Sequence, residues 1–226
     1  ATKNQEFIYS LKKTSFEKIT KIEEPVIYLT DEELKIGSNY LKKIGTQDYN
    51  FVCFHARDKA YLNKYNKDNR DWSYHDFRDS DIQSYLPSME KMTKNNFFCL
   101  RMGSKVEKKL IDSNQKIIDY ANSEDQSDLL DIFLSSKCRF FLLSQVGLAI
   151  IPETFNRPVV YVNGTNIAAN NTYANNSLFI PKKHYSDKKR RLLTFKEYID
   201  LEVENEMVTV EIFKELGIKL IDNTPE

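Results

Sequence analysis

Parallel sheets bind ligands beyond the carboxyl ends of their strands, so chemistry is sought first in the residues that follow each apolar run. Four groups stand there: His55-Ala56-Arg57-Asp58, Arg101-Met102-Gly103-Ser104, Ser144-Gln145-Val146-Gly147 and Asn163-Gly164. Three contain glycine and two contain arginine, a composition suited to anions. A guanidinium is a rigid fork that can clamp a diphosphate through two parallel hydrogen bonds. Glycine lets a ligand approach the main chain closely. His55 and Arg57 are two residues apart, so both point the same way if the strand continues. The other reading of Arg57 is a buried ion pair with Asp58 or Asp79, and Arg101 fits either part. The 144–147 turn leads into an apolar stretch, 148–155, that reads as a helix. The first amides of a helix lack partners and its dipole favours negative charge. Ser144 adds a hydroxyl, Gln145 an amide and Gly147 an open approach. The blander reading is an ordinary strand-to-helix turn with a serine cap.

Other chemistries find less support. Asp58, Asp79 and Asp81 invite a metal reading, but Asp79-Ser80-Asp81 stands at a helix start, where a capping role is expected. His75 and His184 lie in polar segments and read as solvated. The basic run 182–191 either grips an anionic substrate or forms a solvated face. The three cysteines, Cys53, Cys99 and Cys138, sit in apolar runs at wide spacing, as buried reduced thiols do. The chain has no Walker-A loop, no strand followed by GxGxxG and no serine elbow, which argues against P-loop kinases, dinucleotide dehydrogenases and α/β-hydrolases.

The elements that must position these residues alternate. Residues 25–29, 50–54, 97–102, 117–120, 138–143 and 158–163 read as strands, and 31–43, 80–94 and 128–135 as helices. Thr30 with Glu33, and Thr194 with Glu197, form capping boxes, while Gly45 and Gly217 stop helices. Pro87 is expected to bend its helix. Residues 55–79 and 166–176 read as long polar loops, 206–216 as a helix and 218–221 as an extended segment. This alternation predicts a parallel sheet covered by helices. The first 24 residues are polar and read as a linker or arm; residues 25–226 form one domain with a helical C-terminal extension. Over 226 residues, 41% are apolar, enough for a sizeable core, and 33 basic residues balance 33 acidic ones. That balance gives no sign of a nucleic-acid surface. No apolar run reaches the ~20 residues of a membrane span, and the expected location is the cytoplasm or the inner face of its membrane.

Taken together, the motifs resemble one enzyme type. The run Asp131-Ile132-Phe133-Leu134-Ser135-Ser136-Lys137-Cys138, then Ser144-Gln145-Val146, is similar to the donor-binding motif of fucosyltransferase-type GT-B enzymes, and His55-Ala56-Arg57 resembles their H-x-R motif. A closer resemblance is to a family of bacterial glycosyltransferases assigned from sequence, on FVCFHARD, RDSDIQSYLP, a strand ending RMG, DIFL with CRFF, LFIPKK, an LTFKE helix and a closing ID(N)xP. It covers the chain from about Pro25 to Glu226. The resemblance implies an α/β, Rossmann-like parallel sheet with helices on both faces, of the GT-B C-terminal type. It implies a nucleotide-diphosphate sugar as donor, possession of no metal or other cofactor, and transfer to a glycan or lipid-linked acceptor. Arg57 would hold the β-phosphate, where charge develops on the leaving group. Ser144, Gln145 and the amides of Val146 and Gly147 would bind phosphate oxygens, and Asp131 and His55 the base or ribose.

Three features depart from the fucosyltransferase pattern. Asp58 stands where a second arginine is common, which weakens the case for GDP-fucose specifically within a donor expected to be GDP-fucose-like. Leu143 replaces the first serine before Gln145. A GT-B enzyme also has a second Rossmann-like domain, so the acceptor half, with the general base, is expected outside this chain. Two other functions stay open: a sugar-nucleotide epimerase-like enzyme, and a non-catalytic nucleotide-binding module.

Overall fold

The computed structural model describes residues 24–25, 27–46, 48–66, 71–165, 176–201 and 209–225. Helix α1, Asp31–Lys43, opens at the expected capping box: the Thr30 Oγ1 accepts from the Glu33 amide, and the Glu33 carboxylate accepts from the Thr30 amide at 2.7 Å. It ends at Gly45, whose φ of 87° suits a residue without Cβ. Strand β1, Phe51–His55, follows, then the short helix α2, Ala60–Tyr65, two 3-10 segments, Ser73–Arg78 and Ile82–Tyr85, and helix α3, Leu86–Lys94. Strands β2, Phe98–Arg101, and β3, Ile117–Ile118, lead to a 3-10 turn, Tyr120–Asn122, and helix α4, Asp128–Lys137. Next come β4, Phe141–Leu143, a 3-10 turn, Gly147–Ala149, the five-residue helix α5, Ile150–Thr154, and β5, Val159–Gly164. Strand β6 is Leu178–Pro181.

These six strands form one sheet in the order β3-β2-β1-β4-β5-β6, parallel throughout. The fold is α/β and Rossmann-like, as expected. Alternation along β1 divides the core. Phe51 and Cys53 face α1 and α4, where they meet Leu41, Phe133, Leu134, Phe141 and Val159. Val52 and Phe54 face α3 and meet Ile82, Tyr85, Met89 and Cys99. Strands buried on both faces read as unbroken apolar runs, which is why FVCF was legible. Where α1 crosses α4, a Cβ on Gly37 would sit 2.2 Å from the Phe133 ring, so the helices approach through that glycine. All three cysteines are free and buried.

Several expectations are corrected. Of the expected strand 25–29, the described residues 25 and 27–29 are not in a strand. The expected polar loop 55–79 contains α2 and a 3-10 segment. Pro87 lies in the first turn of α3, where its missing N–H has no partner to lose, so it starts the helix instead of bending it. The C-terminal extension is more than helical. Strands β7, Lys183–Ser186, β8, Arg191–Leu192, and β9, Ile218–Ile221, form an antiparallel sheet in the order β8-β7-β9, accompanied by α6, Phe195–Asp200, and α7, Val210–Glu215. The basic run therefore encodes a hairpin. Phe213 of α7 packs on Phe77 at 5.6 Å between ring centroids, joining this extension to the 73–78 segment. The readings of residues 1–23, 166–175 and 206–208 lie outside the described residues. Among the described residues, no helix is long and apolar enough to cross a membrane.

Candidate functional site

The strand order turns between β1 and β4. The chain leaves β1 toward β2 over one face and leaves β4 toward β5 over the other, because right-handed crossovers in opposite directions use opposite faces. The loops after these two strands part, and that is where doubly wound sheets hold ligands. A cleft of about 900 Å³ opens there. Of the residues singled out in the sequence, it brings together His55, Arg57, Asp131, Gln145, Val146 and Gly147. Ser144 and Arg101 are not among its lining residues.

At the end of β1, His55 is enclosed; burial first, then the charges of Arg101 and Arg57, pull its pKa down to about 4. The ring is neutral near pH 7, and its buried Nδ1 has no hydrogen-bond partner. Arg57 is 7% exposed and ion-paired to Asp79, and its Nη1 also donates to the His75 carbonyl at 3.2 Å. The ion-pair reading of Arg57 thus holds, with Asp79 as partner, yet Arg57 still lines the cleft. Burial raises the Asp79 pKa, and the Arg57 charge opposes that rise. Arg78 also lines the cleft, and burial together with the Arg57 charge lowers its pKa. Its buried Nε makes no hydrogen bond.

At the end of β4 the roles differ from expectation. Ser144 is fully buried, and its Oγ accepts from the Arg57 amide at 2.8 Å. It ties the two strand ends together and does not face a ligand. Gln145 accepts the Thr165 amide at 2.8 Å through Oε1. The expected helix 148–155 is a 3-10 turn followed by five residues of α-helix, too short for much of a dipole. The amides of Ala149 and Ile150 bond within that turn, to Val146 and to Gly147 and Leu148. The amides of Gly147 and Leu148 precede them and are the ones a ligand can use. A Cβ at Gly147 would meet nothing within 4 Å, so the cleft side of this turn is open.

Two carboxyl groups lie deeper. Asp131, in the first turn of α4, accepts from Gln126 at 2.9 Å, and burial raises its pKa against the pull of Gln126 and Tyr120. Glu153 of α5 is 3% exposed and accepts from the Tyr161 hydroxyl at 2.6 Å. Burial pushes its pKa up to about 7. Both Glu153 and Tyr161 line the cleft. The sequence held one sign of Glu153: an acid inside the otherwise apolar run Ile150-Ile151-Pro152-Glu153. The opposite wall is aromatic, with Tyr61, Trp72, His75 and Phe77. His75 was expected to be solvated; instead its Nδ1 is buried without a partner, and burial, reinforced by Arg78 and Arg57, lowers its pKa to about 4. His184, also expected in solvent, is 5% exposed and packs on Tyr198.

Arg101 is sealed at 1% exposure and pairs with Asp119 at 3.0 Å. Asp81 caps the 3-10 segment Ile82–Tyr85 by accepting from the Gln83 amide, the capping role expected. In the basic run, Lys182 is buried against Asp222 at 2.8 Å, while Lys189 and Arg191 pair with Glu197. No residue of that run lines the cleft. Among the described residues, no group of three or more His, Cys, Asp or Glu could hold a metal ion. Comparison with protein-family models, curated proteins and solved structures finds no match to this chain.

Proposed function

We propose that the chain binds a nucleotide-sugar donor in this cleft and serves as the donor domain of a glycosyltransferase. The observation that carries the reading is the convergence, at the turning point of the sheet, of Arg57, Arg78 and the open 147–148 turn, beside buried polar atoms of His55, His75 and Arg78 that no protein group satisfies. Buried polar groups in folded proteins are hydrogen-bonded, so these three, with the Asp131 Oδ1 as a fourth on the walls of the same cleft, favour a polar ligand. In this reading the diphosphate lies against Arg57, Arg78 and the amides of Gly147 and Leu148. Those fixed dipoles and charges offset the negative charge that grows on the departing diphosphate. Calorimetry with GDP-, UDP-, dTDP- and CMP-sugars tests it: one class is expected to bind, and failure of all four with folded protein removes the reading.

A sugar-nucleotide epimerase-like enzyme is a second reading, favoured by the carboxyls of Asp58, Asp128, Asp131 and Glu153 gathered with His55 and His75. Product analysis separates the two. Conversion of the donor's sugar without an acceptor supports epimerisation; transfer that requires an acceptor supports the first.

A further inference from the structure

The aromatic wall has a chemistry that a diphosphate does not use. Trp72 is stacked on His75 and on Tyr74, each 6.0 Å away between centroids, with interplanar angles of 17° and 26°. Phe77 is backed by Phe213, and Tyr61, 52% exposed, completes the wall. The wall is thus held together by ring contacts within the chain. Beside it, a smaller cavity of about 160 Å³ shares Arg57, Leu62 and Trp72 with the main cleft and is rimmed by Lys59, Asn63, Asp71, Ser73 and Asp76. Asp71 accepts from the Ser73 amide at 2.8 Å and Asp76 pairs with Lys59 at 2.6 Å. A carboxylate has about four acceptor sites, so both keep acceptors for further donors.

A flat apolar face bordered by carboxylates and an amide matches a saccharide, whose C–H face is apolar and whose equatorial hydroxyls need acceptors. A guanine could use the face and give one donor edge, N1–H with the 2-amino group, to a single carboxylate, whereas the hydroxyls around a sugar ring reach acceptors on several sides, as this rim presents. We infer that the wall of Tyr61, Trp72 and Phe77, with the Asn63, Asp71 and Asp76 rim, is a subsite for a neutral sugar ring: the saccharide that accepts the transferred sugar. This rests on the glycosyltransferase reading and adds to it, since it puts acceptor recognition in the same chain as the donor cleft.

Trp72 is the sole tryptophan, so its emission reports on the wall directly. The whole chain is titrated with methyl glycosides of gluco, galacto, manno, fuco and N-acetylglucosamine configuration, and separately with guanosine and uridine. At least one glycoside is expected to change Trp72 emission saturably, while the nucleosides do not. By saturation-transfer NMR, Trp72→Ala is expected to weaken that glycoside about tenfold, the loss of one stacking contact, and Trp72→Phe, which keeps a ring, to restore most of the affinity. Melting curves of both variants exclude a folding defect. If nucleotide sugars bind but no glycoside moves the emission, the inference falls and the donor reading stands. A saturable response to guanosine or uridine overturns the inference in favour of a base subsite. If glycosides bind and no nucleotide sugar does, the sugar wall stands and the donor reading falls.

Discussion

Two arginines stand at the carboxyl ends of neighbouring parallel strands. Arg57 follows β1 and Arg101 ends β2, where it is the register partner of Phe54. The sequence offers both as anion ligands, yet the first lines a cleft and the second is sealed against Asp119. The difference lies in the connections. After β1 and β4 the chain departs over opposite faces, so the loops that follow them part and leave a cleft. After β2 it continues in the same direction toward β3, and the intervening segment closes over the strand end, with the Asp119 carboxylate also accepting from Leu110 at 2.9 Å. Arginines at neighbouring strand ends, each paired with an aspartate, therefore acquire different surroundings from topology.

The largest test of this contrast is Arg101→Ala. Removing one member of a buried pair leaves Asp119 uncompensated and is expected to destabilise the fold by about 3–5 kcal/mol, read as a lower urea midpoint. A variant that unfolds like the native chain would put Arg101 in the open and erase the distinction.

Glu153 gives the next effect, on the cleft side. Its pKa is raised from 4.5 to about 7. Between those values the unfolded chain has released a proton that the folded chain keeps, so this group lowers stability as pH rises through the window, by about 3 kcal/mol in all, and no further above it. Glu153→Gln keeps an acceptor for Tyr161 and removes the ionisation. Urea midpoints from about pH 5 to about pH 8 should then show a flatter profile than the native chain, with the variant more stable at the upper end. Equal slopes in both proteins would contradict the burial of Glu153.

Arg57→Ala also breaks a buried pair, with Asp79, so it too costs stability, but unlike Arg101→Ala it should act on binding as well. Losing a charged hydrogen bond to phosphate weakens nucleotide-sugar affinity by about 1.5–3 kcal/mol, measured by calorimetry on the folded variant. Unchanged affinity in folded Arg57→Ala would collapse the comparison.

The smallest structural effect is expected of Gly147→Ala. Its φ is not in the left-handed region and the added methyl meets nothing, so stability should stay within about 0.5 kcal/mol. The methyl nevertheless projects where a phosphate would approach the 147–148 amides, and nucleotide-sugar affinity should fall. Unchanged affinity would move the ligand away from this turn.

What was legible, and what was not, follows from the range of the forces involved. Thr30 and Thr194 announce their helices because a capping box closes over three residues. The FVCF strand is visible because burial on both faces leaves an unbroken apolar run. Pro87 misled because proline fits the first turn of a helix as readily as it bends an interior, and only the position of α3 separates the cases. His184 looked solvated because it stands in a basic run, and the rings that pack on it, Tyr198 and Phe213, come from elsewhere in the chain; the rings around His75 are its own neighbours Trp72, Tyr74 and Phe77, and only the folding of that segment against the cleft hides its Nδ1. Ser144 was misassigned for a related reason. A serine after a strand looks like a ligand donor until the β1 end is brought beside it and the Arg57 amide takes its oxygen.

The sequence by itself determined the alternation of strands and helices, the buried cysteines, the caps and the strand-end residues from which a site is drawn, because each depends on local periodicity or on near neighbours. Only the tertiary structure decided which of those residues share a cleft. That choice depends on the order β3-β2-β1-β4-β5-β6, in which the turn between β1 and β4 puts Arg57 and Gly147 on the wall of a cleft and the run toward β3 seals Arg101. No single segment encodes that order, since it emerges from how all the segments pack.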